Sequence, residues 1–254
     1  MQTVNTVTVK GVTLGSGSPK IIVPLVGKNE KELIAEAKHL LPVDCDLVEW
    51  RVDFFDQVAD YQAVVEMSKK IAEILADKPV LFTFRTKQEG GEIAFSDEQY
   101  FGLYKTVIEN GVIDLLDVEL FMDEKQVQET IGAAHNKGIK IVMCNHDFDK
   151  TPTKEEIVSR LCRMQEKNAD ICKIAVMPQS SEDVLTLLEA TNEMKTKHAD
   201  RPIVTMSMGQ LGMVSRMSGE VFGSAMTFGA AKKASAPGQV PVGQLREILQ
   251  TLAF

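Results

Sequence analysis

Apolar positions along this chain follow two alternating periods. Short runs rich in Val, Ile and Leu occur at 21–26, 47–52, 80–85, 113–120, 139–145, 171–177, 203–208 and 225–229, and they predict β-strands. The intervening segments 31–41, 61–75, 97–109, 123–137, 154–167 and 181–197 carry apolar residues at helical spacing. Helix starts are marked by Ser96 before Asp97-Glu98, by Thr151-Pro152, and by Ser180 or Ser181 before Glu182-Asp183. Gly111 and Gly138 follow helix ends, where a left-handed cap is expected.

Eight strands repeating every 22–33 residues give the rhythm of an α/β (β/α)8 TIM barrel. A doubly wound sheet would usually show fewer strands and a glycine-rich first turn, and no GxGxxG or P-loop pattern occurs. Segments 7–10 and 12–14, turning at Gly11, predict a β-hairpin that closes the bottom of the barrel. With no linker or low-complexity tract, residues 1–254 are expected to form a single barrel domain, with the hairpin region at 1–18 and a lid loop at 230–240.

Strand side chains alternate faces, so parity sorts them. Glu49 and Arg51 go with Leu47, Arg85 with Thr83 and Leu81, and Asp117 and Glu119 with Leu115. His146 goes with Cys144 and Val142, and Lys173 with Ile171 and Ala175. Each of these strands has one apolar face for helices. Its other face turns polar toward the C-terminal end, where barrel enzymes keep their sites.

Composition changes this picture little: 44% apolar and 25% charged residues are ordinary for a soluble globular chain. A net charge of −8 argues against nucleic acid or an anionic membrane as partner. No signal-peptide pattern or membrane-length apolar run is present, and Cys45, Cys144, Cys162 and Cys172 lack CxxC spacing. A cytoplasmic protein with reduced, buried thiols is expected.

Lys173 carries the chemistry. It interrupts the apolar run Ile171-Cys172-Lys173-Ile174-Ala175-Val176-Met177 with no carboxylate beside it in sequence, so burial favours its neutral, nucleophilic amine. The competing reading is an edge-strand lysine whose stem lies along apolar surface. His39, His135 and His198 lie in charged helical segments and read as solvated, whereas His146 ends an apolar strand and is placed for acid/base work. No HxH or HExxH spacing suggests a metal. Arg51, Arg85 and Arg216 offer positive charge for an anionic substrate. A protonated imine is its own electron sink, so no cofactor is required. The residues alone imply a Schiff-base lyase or aldolase acting on a small keto acid.

The same residues lie in Glu49-Trp50-Arg51-Val52-Asp53, Phe82-Thr83-Phe84-Arg85 with Glu89-Gly90-Gly91, Asn145-His146-Asp147-Phe148, Lys173-Ile174-Ala175-Val176-Met177-Pro178, Thr205-Met206-Ser207-Met208 and Gly219-Glu220-Val221-Phe222-Gly223-Ser224. With the segment 234–239, this ordered set resembles the type I 3-dehydroquinate dehydratases of the shikimate pathway over nearly the whole chain. The resemblance implies syn elimination of water from 3-dehydroquinate to 3-dehydroshikimate, within chorismate and aromatic amino acid biosynthesis. It makes Lys173 the imine former at the C3 carbonyl. It makes His146 the group that takes the C2 proton and later protonates the leaving C1 hydroxyl, with Glu89 orienting it. It implies that Arg216 clamps the substrate carboxylate, with Ser235 and Gln239 closing from the lid. Glu49 and Arg51 would hold ring hydroxyls, Arg85 would line the pocket, and Met206, Met208 and Phe228 would wall it. It also implies a homodimer. Pro24 departs from the enteric-type pattern, in which a serine near the substrate stands at that place, and proline cannot donate a hydrogen bond. Two rivals stay open on the residues alone: a carbon–carbon-cleaving aldolase, and a barrel that binds a small ligand without turnover.

Overall fold

The computed structural model describes residues 4–231 and 238–253. The hairpin strands β1 (Val7–Val9) and β2 (Val12–Leu14) pair antiparallel. The barrel strands are β3 (Lys20–Leu25), β4 (Leu47–Arg51), β5 (Val80–Thr83), β6 (Leu115–Glu119), β7 (Lys140–Asp147), β8 (Ile171–Val176), β9 (Ile203–Ser207) and β10 (Met226–Ala230). They form one parallel sheet in the order β10-β3-β4-β5-β6-β7-β8-β9, with a short β11 (Val240–Pro241) beside β10. A parallel bridge between Ile203 and Ser224, with the Ala225 N–H donating to the Ile203 carbonyl at 2.8 Å, brings the two ends together. The sheet is thus a (β/α)8 barrel, as its periodicity predicts.

All eight predicted strands are present, and the helices lie between them: α1 (Glu30–Leu40), α2 (Tyr61–Leu75), α3 (Asp97–Asn110), α4 (Glu124–Asn136), α5 (Lys154–Glu166) and α6 (Ser181–Glu193). The end of the last predicted helix is a π-turn over Met194–His198. Two short helices, α7 (Met213–Met217) and α8 (Gly219–Phe222), and the C-terminal α9 (Val242–Thr251) complete the described elements. Ser96 closes a capping box with Gln99, and Ser180 caps α6. The cap of α5 is Thr153 rather than Thr151, because the Thr153 hydroxyl accepts the Glu156 N–H. Gly138 is left-handed, with φ +75°, but Gly111 is extended. Glycine serves at 111 because a Cβ there would lie 2.7 Å from the Val107 carbonyl and 3.0 Å from the Ser68 hydroxyl.

Parity divides the core as expected. Ile22, Leu47, Leu81, Leu115, Val142, Ile171, Val204 and Met226, one from each barrel strand, share an inner cluster with Val7 and Leu14 of the hairpin. The hairpin thereby seals the N-terminal end, and each such fully buried aliphatic side chain contributes roughly 1.5–3 kcal/mol. The alternate residues, Val48, Trp50, Phe82, Leu116, Val118, Met143 and Ile174 among them, pack outward on the helices. Trp50, Phe82 and Tyr104 meet edge to face there at 5.5 and 5.9 Å. Among the described residues, no helix is long and apolar enough to cross a membrane.

Candidate active site

Above the inner apolar layer the inward positions become polar, and the strand register determines which of them are neighbours. Glu119 pairs with Cys144, Cys144 with Lys173, and His146 with Ala175. Lys173 is 3% exposed. Its Nζ lies 3.6 Å from Asp117 Oδ2 and 4.7 Å from the centre of the Phe228 ring. The carboxylate that sequence adjacency did not offer is therefore supplied by the barrel interior, 56 positions before the lysine in the chain.

β5 ends at Thr83, two residues earlier than predicted, and the chain turns into a 3-10 turn over Lys87–Glu89. The Thr86 hydroxyl accepts the Glu89 N–H and itself donates to Glu119 at 2.6 Å. Gly90 follows with φ +86°, beneath the Phe148 ring, and a Cβ on Gly91 would lie 1.9 Å from the Arg85 carbonyl oxygen. The two glycines let the turn fold back tightly enough to deliver Glu89 to His146. Glu89 Oε2 accepts the His146 backbone N–H at 2.9 Å and faces His146 Nδ1 at 2.8 Å, while Oε1 accepts from Asn145 at 3.0 Å.

Burial, with the nearby Glu119 charge, pushes Glu89 up to about 8 against the pull of Arg85. Burial and the cations Arg85, Lys173 and Arg51 push His146 well below its ordinary value. One proton is shared between Nδ1 and Oε2, and the titration belongs to the pair. When the pair loses its second proton, the shared one sits on Nδ1 and leaves a lone pair on Nε2, the form of a general base.

Arg85 anchors the interior. It donates to Glu119 at 2.8 Å, to Asp117 at 2.9 Å and to the Cys144 sulfur at 3.0 Å. Burial opposes its charge, but Asp117 and the other anions outweigh burial and hold it well above its ordinary value. Arg51 is forked onto Asp53 at 2.7 and 2.8 Å, and Asp53 also accepts the Glu92 N–H, tying β4 to the glycine turn. Arg216 is 2% exposed, and burial pushes it down to about 10.

Glu49, Arg51, Arg85, Glu89, His146, Lys173, Met206, Met208, Arg216, Phe228 and Gln239 line one cavity of about 240 Å³, suited to a small molecule. Ser235 and residues 232–237 of the expected lid lie outside the described residues. Pro24 is not part of this lining and borders a separate cavity of about 20 Å³ with Leu40 and Ala231. His39 and His135, expected to be solvated, are half-buried, His135 meeting Asp170 at 2.8 Å, while His198 is exposed. Cys162 is half-buried rather than buried, and all four cysteines are free thiols.

Asp117, Glu119, Thr86, Asn145 and Phe148 were not singled out from the sequence as site residues. Parity placed the two acids inward, but only register shows what they touch. Glu89, Cys144 and His146 bring potential metal-binding atoms within 4.8 Å of one another. Two of those atoms face each other across the Glu89–His146 hydrogen bond. The third belongs to a thiol that donates to Asp117 and that burial holds protonated. The donor set therefore suits proton sharing better than metal ligation.

A family model described as type I 3-dehydroquinase matches residues 21–253. A 3-dehydroquinate dehydratase of Enterococcus faecalis is 57% identical over 96% of this chain and 97% of its own length. A Listeria welshimeri protein of the same name is 58% identical over 98% of both. The crystal structure of the type I 3-dehydroquinate dehydratase of Clostridium difficile, covalently modified by comenic acid, superposes with a TM-score of 0.95 at 53% identity, covering 98% of each chain. A 3-hexulose-6-phosphate synthase, 13% identical with a TM-score of 0.58, shares the fold alone. With the family model and these relatives spanning nearly its full length, the chain belongs to the type I 3-dehydroquinase family.

Proposed function

We propose that this protein is a 3-dehydroquinate dehydratase, a hydro-lyase that converts 3-dehydroquinate to 3-dehydroshikimate through an imine on Lys173. The observation that carries the reading is one small cavity at the mouth of the barrel. It presents the Lys173 amine, the His146–Glu89 pair and the buried Arg216 together. The amine adds to the C3 ketone, and the carbinolamine loses water to give an iminium ion. His146 Nε2 takes the C2 proton, and the C–H electron pair enters the iminium as an enamine. The enamine returns its electrons as the C1–oxygen bond breaks, and the imidazolium protonates the departing hydroxyl. Hydrolysis of the conjugated iminium then releases product and restores the lysine.

The remaining residues bind and exclude water. A substrate carboxylate beside Arg216 offsets the desolvation of that guanidinium. Glu49 and Arg51 hold ring hydroxyls. Arg85 lines the pocket but spends its guanidinium on Asp117 and Glu119, so its part is electrostatic. Met206, Met208 and Phe228 form the apolar wall. Gln239 reaches the cavity from the 230–240 segment, which supports a lid role for that segment, shared with Ser235. A homodimeric state, which rests on the family resemblance, and a cytoplasmic location, which rests on the four free thiols, belong to the same proposal.

The test is borohydride reduction in the presence of 3-dehydroquinate, read by intact mass and peptide mapping, beside Lys173→Ala. The expected result is an irreversible adduct on the Lys173 peptide, with no adduct and no turnover in Lys173→Ala. Turnover, seen as 3-dehydroshikimate absorbance, without an adduct would reject the imine. Absence of both would reject the dehydratase reading.

A further inference from the structure

The buried carboxylates around Lys173 are not equivalent. Both oxygens of Glu119 are satisfied: Oε1 accepts from Arg85 and from the Thr86 N–H, and Oε2 accepts the Thr86 hydroxyl. Asp117 is fully buried, and its two oxygens differ. Oδ1 accepts from Arg85 NH2 at 2.9 Å and from the Cys144 thiol at 3.0 Å. Oδ2 is closed to solvent, accepts no hydrogen bond from any described residue, and faces Lys173 Nζ at 3.6 Å. A buried carboxylate oxygen left without a donor is costly, so its persistence calls for a role.

We propose that Asp117 is a positioning residue for the imine-forming lysine: Oδ2 holds Nζ toward the cavity and supplies the fixed negative charge that the nitrogen requires in both of its cationic states. This inference rests on the imine reading above. Ketone plus ammonium becomes iminium plus water. Of the three ammonium hydrogens, one stays on nitrogen and two leave in the water. The nitrogen therefore carries one positive charge before and after, and a single immobile anion serves both states without taking a proton itself. Phe228 offers its ring face to Nζ at 4.7 Å, an interaction that also favours a cation.

The other charged or titratable groups around the amine are already committed. Arg85 from the loop after β5 is held by Asp117 and Glu119. Glu89 is bound to His146, and Cys144 donates to Asp117. Glu49, at the other side of the cavity, accepts the Thr83 hydroxyl, and Arg51 is forked onto Asp53. Arg216 from α7 lines the same cavity and adds positive charge. Asp117 is thus the carboxylate in salt-bridge contact with Lys173 among the described residues.

Asp117→Asn isolates the role. The amide oxygen can keep both hydrogen bonds at Oδ1, while an uncharged NH2 replaces Oδ2. The rate of borohydride trapping with 3-dehydroquinate is measured beside kcat and KM, since trapping reads imine formation upstream of proton removal by His146. Loss of the opposite charge that faces Nζ should lower the trapping rate at least about tenfold, and kcat with it, while KM stays within about threefold. Trapping at the wild-type rate, whatever the kcat, overturns the proposal and assigns Asp117 a purely structural part. If wild-type protein itself gives no adduct, the imine reading fails instead, and the two failures are distinct. Should Asp117→Asn not fold by circular dichroism, neutron diffraction of the wild-type protein decides. A deuteron on Nζ directed at Oδ2 supports the role, and Nζ turned away from Asp117 overturns it.

Discussion

Replacing Arg85 with methionine should cost more stability than any other single change among the polar residues of the barrel interior. Met fills much of the same length but leaves Asp117, Glu119 and Glu89 without their common cation, at side-chain exposures of 0%, 3% and 8%. Breaking a buried ion pair by removing one partner costs about 3–5 kcal/mol. That figure applies once rather than three times. Glu119 keeps its bonds from Thr86, Glu89 keeps those from Asn145 and His146, and Glu89 lies 3.8 Å from Arg85 in any case. Asp117 bears most of the loss, because only the Cys144 thiol then remains at Oδ1. At about 2–4 °C per kcal/mol for a chain of this size, the melting temperature should fall by roughly 10 °C. Thermal denaturation at pH 7 measures the effect. A variant melting within about 3 °C of wild type would refute the reasoning.

Glu89 and His146 make an opposite pair of contributions to stability. Between about 4.5 and about 6.5 the raised Glu89 and the lowered His146 offset each other, because the folded pair and the unfolded chain then hold equal numbers of protons. From about 6.5 to about 8 the folded pair holds one proton more, so its contribution is lost as pH rises through that window. Glu89→Gln should remove this slope and leave only the histidine effect, a loss of stability as pH falls below about 6.5; urea titrations at pH 5.5, 6.5 and 8 with an unchanged slope would contradict the assignment. Gly91→Ala should destabilise the protein by about 3 kcal/mol, the upper end for overpacking, because its Cβ would meet the Arg85 carbonyl at 1.9 Å. Displacement of Glu89 should lower kcat as well; a variant as stable and as active as wild type would show that the turn can relax at no cost.

Period-two alternation is a local property, and it was enough to place Leu47, Leu81, Leu115, Val142 and Ile171 in the barrel interior and to leave the alternate apolar face of those strands, with Trp50, Phe82 and Val118, to the helices. The same alternation put Glu49, Arg51, Asp117, Glu119, His146 and Lys173 on the inner face, where the order of strands made a common mouth the natural destination. What each group touches was not legible, because it depends on register and on distances across the barrel. Asp117 approaches Lys173 from two strands away, and Arg85 gathers anions 32 and 34 positions further along the chain. Local rules also misjudged Gly111, whose use is set by the closeness of Val107 and Ser68 rather than by its own φ. Sequence therefore determined which residues face inward and which bear chemistry, since side-chain direction follows from neighbours in the chain. Tertiary structure alone decided which charges cancel, which hydrogen bonds close, and which carboxylate oxygen is left facing the lysine, since those depend on residues that only the closed barrel brings together.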